Sequence, residues 1–180
     1  WSGWGLVMDT LSPLLGESPS PELVEHIEQT VMGYPGVLGM HDLMVHDYGP
    51  GQCFASVHAE MDSREDPLLC HDVLDDIERD ALRELRVHLV IHYDPIVTDD
   101  AELNHMRTFV QETIRAIDPE LTLHDFRMVR GAQHTNLIFD AVVPFQYGKT
   151  NEEVKKGIAK LITEKWSNYY AVIQVEQSYI

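Results

Sequence analysis

The stretch Val87-His88-Leu89-Val90-Ile91-His92-Tyr93-Asp94-Pro95 decides how the chain is read. Successive side chains of a strand point to opposite faces, so Leu89, Ile91 and Tyr93 share one side while His88, Val90, His92 and Asp94 share the other. The first side is apolar and calls for a core. The second carries an imidazole and a carboxylate two residues apart, about 6.6–6.8 Å along a strand. That is close enough to serve one metal ion or two neighbouring ones.

Upstream, Phe54-Ala55-Ser56-Val57-His58-Ala59-Glu60-Met61 repeats the pattern, with Ala55, Val57, Ala59 and Met61 inward and Ser56, His58 and Glu60 outward. His41 opens a third extended run, Gly39-Met40-His41-Asp42-Leu43, and His71 lies on a helix with Asp75 one turn later on the same side. His41, His58, His71, His92 and Asp94 form a candidate metal site. A single histidine on a half-exposed strand is as a rule a solvated side chain, so the weight rests on the coincidence of polar positions. Imidazole and carboxylate suit tetrahedral Zn²⁺, and Mn²⁺ and Fe²⁺ accept the same donors. His26, His46, His88, His105 and His134 read as surface groups, with His46, Asp47 and His88 able to offer supporting hydrogen bonds.

Before the opening stretch come a helix with Ser20 as its cap and Pro21 at its first position, carrying Leu23, Ile27 and Val31, and then two strands over 37–48 and 52–62. Tyr48-Gly49-Pro50-Gly51 joins those strands as a hairpin turn. A helix over 67–85 follows, with Val73, Leu74, Ile77, Ala81 and Leu85 at helical spacing. After Pro95 the order returns: a helix over 99–117 capped by Asp99 with Glu102, strands over 121–129 and 135–143, a helix opened by Thr150 and Glu153, and a strand over 169–179. His41-Asp42-Leu43 parallels His124-Asp125-Phe126, and Val90-Ile91-His92-Tyr93-Asp94 parallels Val172-Ile173-Gln174-Val175-Glu176.

The expected fold class is therefore α+β, two tandem αββαβ modules of ferredoxin-like type with antiparallel sheets. The expected divisions are an arm over 1–19, a metal-binding module over 20–96 and a second module over 97–180. In the second, Gln174 replaces His92 and Asp140 falls near the place of His58, so His124, Asp140 and Glu176 make at best a weaker, harder site. A structural copy without its metal is the favoured reading there.

Composition narrows the function. The chain has 180 residues, 44% of them hydrophobic, and a formal net charge of −17. That is enough apolar content for packed cores, and the charge argues against nucleic acid or an anionic membrane surface and favours cations. The two cysteines, Cys53 and Cys70, lack the spacing of a zinc ribbon or redox motif. Nothing approaches the ~18–20 apolar residues of a membrane span, and no signal peptide is evident, so a soluble piece is expected. The apolar beginning, with Trp1, Trp4, Leu6, Val7, Met8, Leu11, Leu14 and Leu15, reads as a piece cut from a larger neighbour or as an arm that docks on one.

Taken together, Tyr34-Pro35-Gly36-Val37, Gly39-Met40-His41-Asp42-Leu43, Tyr48-Gly49-Pro50-Gly51, Ser56-Val57-His58-Ala59-Glu60, His71-Asp72, Ile77-Glu78 and Ile91-His92-Tyr93-Asp94-Pro95 resemble the cytoplasmic C-terminal domain of cation diffusion facilitator transporters, the zinc-efflux family. Asp9-Thr10-Leu11-Ser12-Pro13-Leu14-Leu15-Gly16 resembles the segment that joins the last membrane helix to that domain. The resemblance implies a homodimer that binds zinc or similar divalent ions between subunits and so biases the attached membrane domain. It also implies a place on the cytoplasmic side of the membrane, His41, His58, His71, His92 and Asp94 as ligands, and no enzymatic activity. The membrane transport site of such proteins has no counterpart in these residues. Two other readings remain at this stage: a metal-free ferredoxin-like dimerisation module, and a metal-dependent hydrolase with Glu60 as its general base.

Overall fold

The computed structural model describes residues 3–7, 11, 19–48 and 51–178. They fall into two compact units that divide between Val97 and Thr98. Unit 1 runs α1 (Pro21–Met32), β1 (Val37–Asp47), β2 (Cys53–Asp62), α2 (Pro67–Asp80) and β3 (Val87–Ile96). Unit 2 runs α3 (Ala101–Ile117), β4 (Thr122–Arg130), β5 (Thr135–Val143), α4 (Asn151–Lys165) and β6 (Tyr169–Gln177). The αββαβ order is present twice. The arm expected over 1–19 is described only at residues 3–7, 11 and 19, helical at 3–7 and at Leu11; Gly49 and Pro50 of the hairpin turn lie outside the described residues.

Local chemistry sets the helix boundaries. The Ser20 side chain accepts from the Leu23 amide at 3.2 Å, with Pro21 at the first helical position. Asp66 caps α2 ahead of Pro67. Thr150 and Glu153 form a reciprocal capping box on α4. The cap expected at Asp99 is in fact Asp100, whose carboxylate accepts from the Glu102 and Leu103 amides at 3.1 and 3.0 Å. The helix expected to continue to Leu85 changes form at Ala81: a π-helical turn, Ala81–Leu85, ends at Arg86 with φ 60°, a left-handed residue that turns the chain into β3.

Each unit holds one three-stranded sheet, in the orders β1-β2-β3 and β4-β5-β6. The hairpin pairs, β1 with β2 and β4 with β5, are antiparallel, whereas β2 with β3 and β5 with β6 are parallel. The expectation of wholly antiparallel sheets is corrected accordingly. The physical reason is the crossover helix: α2 and α4 carry the chain back across the sheet, so the next strand starts from the same end as the one before.

Helices cover one face of each sheet. Ile27, Val31, Leu74 and Ile77 meet the inward row Ala55, Val57, Ala59 and Met61. Val110, Ile114, Val154, Ile158 and Ile162 meet Leu137, Phe139, Ala141 and Val143. Each such large side chain contributes roughly 1.5–3 kcal/mol by leaving water. β2 therefore alternates strictly, buried at Cys53, Ala55, Val57, Ala59 and Met61, and its other face stays free for polar chemistry.

Candidate metal centre

The outward row of β2 is Phe54, Ser56, His58 and Glu60, and the parallel register sets His88, Val90, His92 and Asp94 beside them. On β1 the register places His46 beside Phe54 and Met44 beside Ser56, but the next partner of His58 is His41. Three residues on β1 thus span two on β2, which is a β-bulge. Asp42 absorbs it in the left-handed region, φ 53°, a conformation that Asp tolerates better than most residues. Without the bulge Asp42 would face His58. With it, His41, His58 and His92 form one row across three strands, and Asp94 stands one step along.

The side chains converge. Ring centroids are 4.8 Å apart for His41 and His58, and 4.5 Å for His58 and His92. The ligand atoms of His41, His58 and Asp94 all lie within 4.8 Å of one another. Both ring nitrogens of His41 face carboxylate oxygens: Nε2 lies 3.1 Å from Asp94 and Nδ1 3.3 Å from Asp42. His92 is exposed at the edge of the group. Burial holds the His58 imidazole below its usual pKa range, and His41 and His92 push in the same direction against Asp42 and Asp94. His58 is consequently a neutral base near neutral pH, the form that ligates a metal. Its Nδ1 is shielded from water and meets no hydrogen-bond partner among the described residues. A buried polar atom without a partner costs free energy, and a cation there would relieve it. The donor set of imidazoles and one carboxylate fits Zn²⁺, which asks for ligand atoms about 3.3–3.6 Å apart around a tetrahedral ion.

Of the five predicted residues, His41, His58 and Asp94 are brought together by their ligand atoms, with the His92 ring beside that of His58. His71 is not among them. It is exposed on α2 and lines a cavity of about 210 Å³ with Asp75, Glu78, Ile91 and Tyr93. Ile91 and Tyr93 point to the helix side of β3, opposite His92 and Asp94, so within one chain His71 serves the other face of the sheet. Sequence reading missed Asp42 as a partner of His41, since strand parity alone sets neighbours on opposite faces.

Unit 2 keeps the framework. Its bulge falls between His124 and Arg127, Asp125 has φ 53°, and Asp140 and Gln174 occupy the register places of His58 and His92. His124 is buried, 3.7 Å from Asp125, with a ring nitrogen within 4.8 Å of a Glu176 oxygen. The Gln174 amide donates to Glu176. Among the described residues no three ligand atoms drawn from unit 2 alone come within 4.8 Å of one another, so His124, Asp140 and Glu176 do not assemble as a group.

Residues 19–96 match the family model described as the cytoplasmic domain of cation efflux proteins. The chain is 31% identical over 94 residues to the cation-efflux pump FieF of Salmonella typhi and to that of Escherichia coli O1:K1 / APEC, covering 52% of this chain and 30% of each relative. It is 28% identical over 89 residues to FieF of Pectobacterium carotovorum subsp. carotovorum, covering 49% of this chain and 29% of that one. The chain thus spans less than a third of the length of these curated relatives. A solved structure, that of the sex pheromone staph-cAM373 precursor, superposes with a TM-score of 0.34 at 8% identity over 92% of this chain and 77% of that one, too weak a likeness to carry an inference. Among the described residues, no helix is long and apolar enough to cross a membrane.

Proposed function

We propose that residues 20–96 are the metal-binding module of a cytoplasmic regulatory and dimerisation domain of a divalent-cation efflux transporter. In this reading residues 1–19 connect it to the membrane domain, and residues 97–180 form a second module of the same fold without the full ligand set. The observation that carries it is His58 Nδ1, buried and without a hydrogen-bond partner among the described residues, beside His41, His92 and Asp94. His41, His58, His92 and Asp94 would hold Zn²⁺ or a similar divalent ion, and Asp42 would orient the His41 ring from its far nitrogen, as carboxylates commonly do for metal-bound histidines. The exposed His71 is then left to ligate a second ion between two copies, since the four residues above already fill one tetrahedral shell. A cation bound at that junction offsets repulsion between two strongly acidic chains and favours a closed dimer. It regulates to the extent that it binds the closed state more tightly than the open one.

A second reading has its own observation: the 3.1 Å contact of His41 with Asp94 holds that pair together without an ion. The domain would then be a metal-free dimerisation module. Calorimetric Zn²⁺ titration of the chain beside His58→Ala separates the two. Saturable uptake of about one or two ions per chain, weakened by the substitution, is expected. Absent uptake, or uptake indifferent to His58, overturns metal binding and leaves the metal-free module. Small-angle scattering of the dimer should show a more compact particle with Zn²⁺; identical profiles with and without the ion would sink the closure step.

A further inference from the structure

Glu60 stands on the same outward row as His58, in register with Asp94 on one side and Gly39 on the other. Its carboxylate lies over Gly39, where an added Cβ would come within 2.7 Å of Oε2. Glu60 is half-buried, and no hydrogen-bond donor or cationic side chain meets it among the described residues. Neighbouring strands run about 4.7–4.9 Å apart, so Glu60 and Asp94 form a like-charged cross-strand pair, which is unfavourable unless something positive joins it. A divalent ion beside Asp94 is positioned to do so.

The geometry points to Glu60 as a selectivity residue of the metal centre. Its carboxylate rests over Gly39 and swings in to add a second anionic oxygen for a hard, six-coordinate ion of the Mn²⁺ class. Zn²⁺, satisfied by four ligands, does without it. This rests on the metal-binding reading above. The physical basis is donor hardness and number: Mn²⁺ favours octahedral oxygen-rich sites, while three imidazoles and one carboxylate complete a tetrahedron for Zn²⁺. The two methylenes of Glu60 give it reach, and Gly39 gives it somewhere to rest when unused.

The test is calorimetric titration of wild type and Glu60→Gln, with Zn²⁺ and Mn²⁺ separately. Glu60→Gln should weaken Mn²⁺ by about tenfold or more and Zn²⁺ by less than about threefold, on the scale known for groups that support metal ligands. Equal losses, or no loss of either, overturn the proposal, as does a wild type that takes up Zn²⁺ but no Mn²⁺. A wild type that binds neither ion overturns the metal-binding reading itself. The metal-free protein gives a second readout: Glu60→Gln should melt at or above wild type, because the repulsion with Asp94 is gone, and a clear fall would make Glu60 a structural group instead. Gly39→Ala denies the carboxylate its seat and should raise the Mn²⁺ to Zn²⁺ affinity ratio, an increase that vanishes when Glu60→Gln is added. A ratio indifferent to Gly39→Ala overturns the resting position.

Discussion

In β1 the bulged His41-Asp42-Leu43 and in β4 the bulged His124-Asp125-Phe126 share one backbone, down to an aspartate at φ 53° in each. The strands beside them pair in one register, His58 with His92 in unit 1 and Asp140 with Gln174 in unit 2. Yet only the first unit gathers three ligand atoms of its own within 4.8 Å among the described residues. The contrast separates two requirements. The scaffold asks for apolar inward rows and a bulge, which both units keep. The centre asks for imidazoles on the outward row, and unit 2 has replaced two of them with an acid and an amide that no packing constraint forbids.

The strongest way to break this comparison is to give unit 1 the outward row of unit 2. His58→Asp with His92→Gln should lower Zn²⁺ affinity by about a hundredfold or more, since each ligand or its support is worth ten- to a hundredfold, while the melting temperature of the metal-free protein changes little. Undiminished affinity would show that these rows do not distinguish the units. A finer cut uses the bulge. Asp42→Ala and Asp125→Ala should each destabilise by about 1–2 kcal/mol, because alanine tolerates the left-handed region poorly, and the asparagine variants by less. Only Asp42→Ala should also weaken Zn²⁺, by about tenfold. Equal effects on Zn²⁺ from both substitutions would remove Asp42 from the centre.

The smallest expected effect lies in acid. Asp100 is held below the usual carboxylate range by the Leu103 amide and then by Arg130, and Glu102 by the Tyr169 hydroxyl and then by Arg130. A lowered folded pKa contributes stability that is present above the unfolded value and lost as pH falls through the folded one. Protection factors of the β4–β6 amides, taken relative to the intrinsic exchange rate at each pH, should therefore fall as pH drops below about 4, and Asp100→Asn should flatten that limb. Glu102 is exposed and Asp100 only half-buried, so solvent screens the effect and keeps it slight. An acid limb unchanged in Asp100→Asn would show that this network does not set it.

Much of this was legible in the residues themselves. Strand parity placed His58, His92 and Asp94 on one face, capping residues fixed the starts of α1 and α4, and the repeated His-Asp-apolar triplet showed the duplication. Three features were not legible, each for a physical reason. Period-2 patterning fixes which way a side chain points but not the neighbour it meets, so the parallel β2 and β3 pairing came only from the crossover through α2. The bulge at Asp42 lies in backbone torsions that a single Asp does not announce, and it decides that His41 rather than Asp42 joins the row. His71 matched the ligand pattern by residue type, but a helix packed on the inward face carries it away from the outward one.

The central claim is that unit 1 holds the metal and unit 2 does not. The most direct measurement is a zinc-edge anomalous difference map from crystals of the chain grown with Zn²⁺. The account predicts density among His41, His58, His92 and Asp94 and none among His124, Asp140 and Glu176. Zinc held by the second set, or none in the first, would contradict it.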